Sequence, residues 1–316
     1  MVRTLRLGEV MTPNELNEQF GMPNILTFDQ NGSLTRARVT LASCEAEVYL
    51  QGAQLTHWKP AGEQPVLWLS ESSKFLPGKA IRGGIPICFP WFGPPADGGT
   101  GPSHGFARIE EWTLSFAALM PGAEGESLSL TFVLGPNERT SALGYNNFRA
   151  VCEMRLGRTL AVKLTVANMG EQPLHFEEAL HTYFHVADVR KSPITGLASA
   201  PYLDKVDGAK EKRSPDQPLQ LTESTDRVYF ANSAEALIED QGNSRRVRIT
   251  KANSATTVVW NPWDTGAATL ADVQPEAWRQ FLCVEAANTG TDTVTIASKT
   301  THTMSVNIAV DREARC

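Results

Sequence analysis

Runs of alternating apolar and polar residues recur along almost the whole chain, with few helical signals between them. Leu34–Leu41, Ala46–Leu50, Trp112–Ala118, Ser127–Leu134, Arg149–Leu156, Leu160–Ala167, Val247–Lys251, Thr256–Trp260, Thr293–Ala297 and Thr303–Val310 repeat with period two. That is the spacing of a strand with one face buried. Gly-, Pro- and Asn-rich punctuation divides the runs, as at Met120-Pro121-Gly122 and Asn168-Met169-Gly170. Parallel strands need long crossovers, usually helical, so their absence predicts an antiparallel two-layer sandwich, an all-β fold. Two short helices are expected. Thr12-Pro13-Asn14-Glu15 reads as a capping box with proline at the first helical position, starting an N-terminal helical arm over about 12–21. Gln274–Phe281, with Pro275 and Glu276 near its start, is the other. Two excursions break the rhythm: a glycine/proline loop from Phe92 to Gly105 and a charged stretch from Asp204 to Arg227, read as a solvated loop or lid. Neither has the composition of a linker and no repeat is visible, so residues 1–316 read as one β-sandwich domain.

The net charge of −6 lacks the basic face of a nucleic-acid binder, yet leaves small anionic substrates open, because a pocket needs only local cations. Five scattered cysteines, Cys44, Cys88, Cys152, Cys283 and Cys316, include no Cys-x-x-Cys pair, so neither a disulfide framework nor a zinc cluster is expected. A reducing, cytoplasmic setting follows. No signal or transit peptide and no run of ~20 apolar residues is present, so no membrane partner is expected. The expected state is a monomer.

Ile81-Arg82-Gly83-Gly84-Ile85-Pro86-Ile87-Cys88-Phe89-Pro90-Trp91-Phe92-Gly93-Pro94 is apolar enough to be buried and too rich in glycine and proline for regular structure. Buried irregular backbone must find partners for its amides and carbonyls, and chains carry it where a pocket is shaped. Ser103-His104-Gly105-Phe106-Ala107-Arg108 follows closely. Arg82 and Arg108 are either surface charges or, beside glycine-rich backbone, ligand-holding cations for an anionic ring. His181 and His185 are four apart in Ala179-Leu180-His181-Thr182-Tyr183-Phe184-His185, but the intervening residues favour a strand. On a strand the two stand roughly 13 Å apart and cannot share an ion. His181, Tyr183 and His185 would then form one polar-aromatic row, in which His181 is either a candidate acid or a backbone-bonded histidine. Glu285 interrupts the apolar run Phe281–Asn288, and is there either paired, functional or surface-facing. Cys283 would share its face as a small packed side chain. Asp204 is a turn residue or a hydroxyl acceptor.

These four motifs, Ile81–Gly93, Ser103–Arg108, Leu180–Phe184 and Cys283–Glu285, resemble in order the glucose-6-phosphate 1-epimerase branch of the aldose 1-epimerase family. The resemblance implies a galactose-mutarotase-like β-supersandwich of two large antiparallel sheets with a few short helices. It implies no cofactor, no metal and a sugar phosphate as the small-molecule partner. Residue by residue, His181 resembles the general acid and Glu285 the general base. Arg82 and Arg108 resemble the cations that hold the phosphate, Asp204 a hydroxyl-binding carboxylate, and His104 a group beside the ring. Ser103 stands where relatives often carry glutamine, and His185 where a cation is common. Anomer exchange needs a proton taken from the C1 hydroxyl and one given to the ring oxygen, work suited to a carboxylate and an imidazolium. Two other readings remain open: an epimerase of unphosphorylated aldoses, and a non-catalytic carbohydrate binder using Trp58, Trp91 and Trp263 for stacking.

Overall fold

The computed structural model describes residues 10–95, 98–122 and 125–312. Two eight-stranded antiparallel sheets dominate it, joined by a four-stranded N-terminal meander and a two-stranded ribbon. The first large sheet runs, edge to edge, through 210–213, 201–204, 225–229, 256–261, 281–288, 178–180 and 87–88, with 183–185 also paired to 281–288. The second runs through 194–195, 236–240, 245–252, 301–312, 160–168, 148–156, 127–134 and 113–120. Period two is visible directly in burial: in Leu160–Asn168 every second residue is buried, and Leu160, Val162, Leu164 and Val166 enter the main core. Leu282, Val284 and Ala286 enter the same cluster from the first sheet. That shared layer holds the sheets together. Strand Phe281–Asn288 is buried at every position, so its second face, bearing Cys283 and Glu285, is also covered.

The helical arm is Pro13–Phe20, capped by Thr12, whose hydroxyl accepts from the Glu15 amide while the Glu15 carboxylate accepts from the Thr12 amide. Two expectations are corrected. Gln274–Phe281 forms only a single 3-10 turn, Ala277–Gln280, before the chain enters the central strand at Phe281. The apolar run Phe281–Val284 is worth more in a sheet than in a short helix. Asp204–Arg227 is not a solvated loop: Pro201–Asp204 and Lys210–Arg213 form an edge hairpin, and Thr225–Tyr229 pairs with Thr256–Asn261 inside the sheet. Its charge belongs to an edge, where lysines discourage further strand pairing.

The irregular segment finds its backbone partners in neighbouring strands. Gly84 and Ile85 donate to the carbonyls of Trp68 and Leu55, and the amides of Tyr183 and His181 donate to the carbonyls of Gly84 and Pro86. A side chain at residue 84 would place its Cβ 2.2 Å from the Leu55 carbonyl oxygen at φ +64°, so glycine is required there. Gly105 meets the same condition, with Phe89 O 2.0 Å from such a Cβ and φ +74°. Tight backbone approach thus seats Gly84 against Leu55 and Gly105 against Phe89, and the Gly84 and Pro86 carbonyls take the amides of Tyr183 and His181.

Candidate active site

Register explains which side chains meet. Tyr183 pairs with Cys283 and Leu180 with Ala286, and the same register continued through the gap sets His181 opposite Glu285. The ladder is open there because the His181 amide is taken by Pro86. Across the sheet, Val258 lies beside Glu285 and Val228, and Trp260 beside Cys283 and Asp226. Alternate residues of a strand share a face, so Asp226, Val258, Trp260, Cys283 and Glu285 all present to one side.

Asp226, Val258, Trp260 and Glu285 floor a cavity of about 300 Å³, while the fully buried Cys283 is not part of its lining. Arg82, Phe92, Gly93, Pro94, Ser103 and His104 wall it from the irregular loops, and Lys205 closes the hairpin end. The imidazole Nε2 of His181 lies 3.3 Å from Glu285 Oε1. The contact is close but not aligned as a hydrogen bond: both carboxylate oxygens and His181 Nδ1 lack protein partners, although Glu285 is only 1% exposed. Native proteins rarely leave buried polar atoms unpaired, and an orphaned carboxylate facing a cavity is shaped for a ligand. Burial, then the charge of Asp226, raises the Glu285 carboxyl well above its ordinary range. Burial, then His104 and the nearby arginines, lowers His181 well below its own. Both shifts favour the pair holding a single proton between its members.

His104 reaches the cavity through a left-handed backbone, φ +63°. Its amide donates to the Gly93 carbonyl at 2.6 Å and its Nδ1 accepts from the Gly93 amide at 3.2 Å. Acceptance at Nδ1 leaves the proton on Nε2. Burial and the charges of Arg108, Lys205 and Arg82 push its pKa down to about 3, keeping the ring neutral. Its ring centroid is 5.3 Å from that of His181. Arg82 donates to Asp272 Oδ2 at 3.1 Å and to the Tyr183 hydroxyl at 3.0 Å, which fixes its guanidinium at the wall. Tyr183 in turn stacks on His181, centroids 4.9 Å apart.

The cavity therefore brings together His181, Glu285, Arg82, Ser103 and His104, and two expected residues stand outside its lining. Asp204 is a turn residue here: its carboxylate accepts from Lys212 at 2.8 Å and from the Val206 amide, holding the edge hairpin. Arg108 lies behind the His104 turn, where its Nη2 donates to the Ser103 carbonyl at 2.7 Å and its charge reaches His104 and His181. His185 opens into a separate groove with His57, Trp68 and Glu276. The tryptophans offered for stacking are also elsewhere. Trp58 is buried against the Gly157 carbonyl, Trp91 bonds to the Pro102 carbonyl, and Trp263 packs at a tilt on Trp278. Sequence reasoning missed Lys205, Asp226 and Trp260. The signal for Asp226 was present in the strand-forming run Val228-Tyr229-Phe230, masked by the charges before it. Lys205 rests over the Phe92 ring, 5.1 Å from its centroid, and among the described residues it makes no ion pair.

A two-sheet sandwich in which an imidazole and a carboxylate face one ligand-sized cavity has the parts that mutarotase chemistry requires. The aldose 1-epimerase family profile matches residues 38–309, and the chain belongs to that family. A "putative glucose-6-phosphate 1-epimerase" of Escherichia coli strain K12 is 38% identical over 77% of this chain and 79% of the relative. One of the same description from Salmonella typhimurium is 34% identical over 85% of this chain and 90% of the relative. The crystal structure of a "putative mutarotase" from Salmonella typhimurium superposes with a TM-score of 0.84 at 31% identity, covering 98% of this chain and 97% of the other. A "putative aldose 1-epimerase" structure from Escherichia coli, at 16% identity and a TM-score of 0.66, covers 89% of this chain and all of the other and shares the fold.

Proposed function

We propose that the protein interconverts the α and β anomers of a hexose 6-phosphate, with glucose 6-phosphate the leading substrate, without a cofactor. The observation that carries this reading is an acid–base pair, His181 Nε2 3.3 Å from Glu285 Oε1, in one cavity with Arg82 and Lys205. In the form with the pair's proton on His181, Glu285 removes the C1 hydroxyl proton while the imidazolium protonates the ring oxygen. The C1–O5 bond opens, the aldehyde turns about C1–C2, and the ring closes on its other face with the two roles exchanged. A pair that retains one proton suits this cycle, because each direction needs one member loaded and the other empty. His104 donates from Nε2 to a sugar oxygen, and Asp226 accepts from a hydroxyl. Arg82 is held rigidly for a bidentate anion contact, whereas Lys205 supplies a charge on a movable stem.

Relatives described as glucose-6-phosphate 1-epimerases support the phosphorylated substrate, as do the two cations. The larger groove of about 750 Å³ over Tyr202 and Phe230 is lined by neither His181 nor Glu285. The test compares kcat/KM for α-glucose 6-phosphate and α-glucose by polarimetry or exchange NMR, in the parent and in Arg82→Met and Lys205→Met. A charged hydrogen bond is worth about 1.5–3 kcal/mol, so each substitution should weaken the phosphorylated sugar roughly 10- to 100-fold. Glucose should change only a few-fold. Equal losses on both sugars would rule out the phosphate reading and leave an epimerase of unphosphorylated aldoses.

A further inference from the structure

We propose that His181, Cys283 and Glu285 form a binding site for a thiophilic divalent cation of the Zn²⁺ and Cd²⁺ class, and that occupancy switches the enzyme off. The ligand atoms of the three residues, an imidazole nitrogen, a thiol sulfur and a carboxylate oxygen, all lie within 4.8 Å of one another. A tetrahedral zinc with ligands at about 2.0–2.3 Å holds its donors roughly 3.3–3.8 Å apart. His181 Nε2 and Glu285 Oε1 are already 3.3 Å apart, so small side-chain rotations complete the set. The sheet makes this arrangement unavoidable: residues 283 and 285 share a strand face, and register sets His181 across from Glu285. Sulfur, imidazole and carboxylate together suit zinc or cadmium and poorly suit magnesium or calcium.

Three further features favour occupancy. Neither Glu285 oxygen has a protein hydrogen bond to surrender. His181 Nε2 is the ring nitrogen 3.3 Å from the carboxylate, so it is the one nearer to the ion. The cavity reaches His181 and Glu285, with the fully buried Cys283 outside its lining, and leaves room for a water as fourth ligand. Opposing them, Arg82 and Lys205 place positive charge on the same cavity. Balance comes from two proton losses: the sulfur–hydrogen bond breaks as the sulfur–metal bond forms, the proton held by the His181–Glu285 pair is displaced, and both protons leave to water. Thiolate and carboxylate then match the dication. Cys88 lies near enough to feel Cys283 but is not one of the three donors. Inactivation rests on the function proposed above, since the ion takes the imidazole lone pair and the carboxylate that the proton transfers need. Inhibition is accordingly competitive with sugar.

Two measurements separate the site from the reaction. Titration of the full chain with Cd²⁺ should develop a sulfur-to-metal charge-transfer absorption saturating at one equivalent, with no substrate present. Cys283→Val and Cys283→Ser, each checked for a native melting transition, should lose that band. In the anomer-exchange assay, Zn²⁺ should inhibit the parent competitively. Both variants should keep their activity and need far more Zn²⁺. Loss of a mere supporting partner costs about 10–100-fold in metal affinity, and loss of a ligand should cost at least that. A band that persists in both variants, or equal Zn²⁺ sensitivity in parent and variants, overturns the proposal. If the parent shows no epimerase activity but develops a Cys283-dependent band, the metal site stands and the functional reading falls.

Discussion

Replacement of Glu285 tests the chemistry and the energetics of the site together. The carboxyl is 1% exposed, neither oxygen has a protein partner, and burial raises its pKa well above the ordinary range. Leaving a buried polar group unsatisfied costs about 1–3 kcal/mol, so the folded chain carries this carboxyl at a loss. Glu285→Leu, close in size and without polar atoms, should recover much of it. At about 2.1 cal/mol/K of unfolding entropy per residue, a chain of this length should then melt roughly 1–4 °C higher. Glu285→Gln keeps the shape and removes the base, and should lower kcat by about 10²–10⁴-fold, the usual worth of a positioned proton-transfer group. Polarimetry on an α anomer and a thermal melt of both variants read the two effects. The reasoning fails if Glu285→Gln exchanges anomers within a few-fold of the parent. It fails equally if Glu285→Leu melts several degrees lower, for the carboxylate would then be a structural anchor.

Two further outcomes depend on pH. Because His181 is lowered and Glu285 raised, the pair should hold one proton over a broad range. On an unphosphorylated aldose, whose own groups do not titrate, kcat/KM should stay flat down through pH ~6.5, the ordinary histidine value, and fall only below it. A midpoint near ~6.5 would refute the shared-proton description. Elsewhere, His302 Nε2 meets Glu178 Oε1 at 2.9 Å between the two large sheets, and that hydrogen bond raises the histidine pKa. A raised folded value stabilises fully below the unfolded pKa of ~6.5 and fades as pH climbs through the folded one. His302→Gln should therefore shift the urea midpoint more at pH 5.5 than at pH 9, and equal shifts would sink the linkage.

Local chemistry made much of this molecule legible. Period-two runs located most of the long strands to within a few residues, because one-sided burial writes itself into sequence. Gly84 and Gly105 marked backbone contacts too tight for a Cβ. The capping box at Thr12–Glu15 placed the arm. Sequence failed where the same residues serve two contexts. Gln274–Phe281 looked like a helix, but only Ala277–Gln280 turns before the central strand begins at Phe281. The charges of 204–227 looked solvated because an edge hairpin is charged on purpose.

By itself, the sequence determined an all-β sandwich and a glycine-rich pocket wall, and through the family resemblance it nominated His181 and Glu285 as an acid–base pair. Only the tertiary structure decided which charges face the ligand. Asp204 and Asp226, or Arg108 and Lys205, are equivalent as letters. They differ because strand pleat and register send Asp226 toward Trp260 and Glu285 while Asp204 is claimed by Lys212. Long-range pairing, in which a one-residue slip exchanges the two faces of a strand, is information that no local stretch of sequence contains.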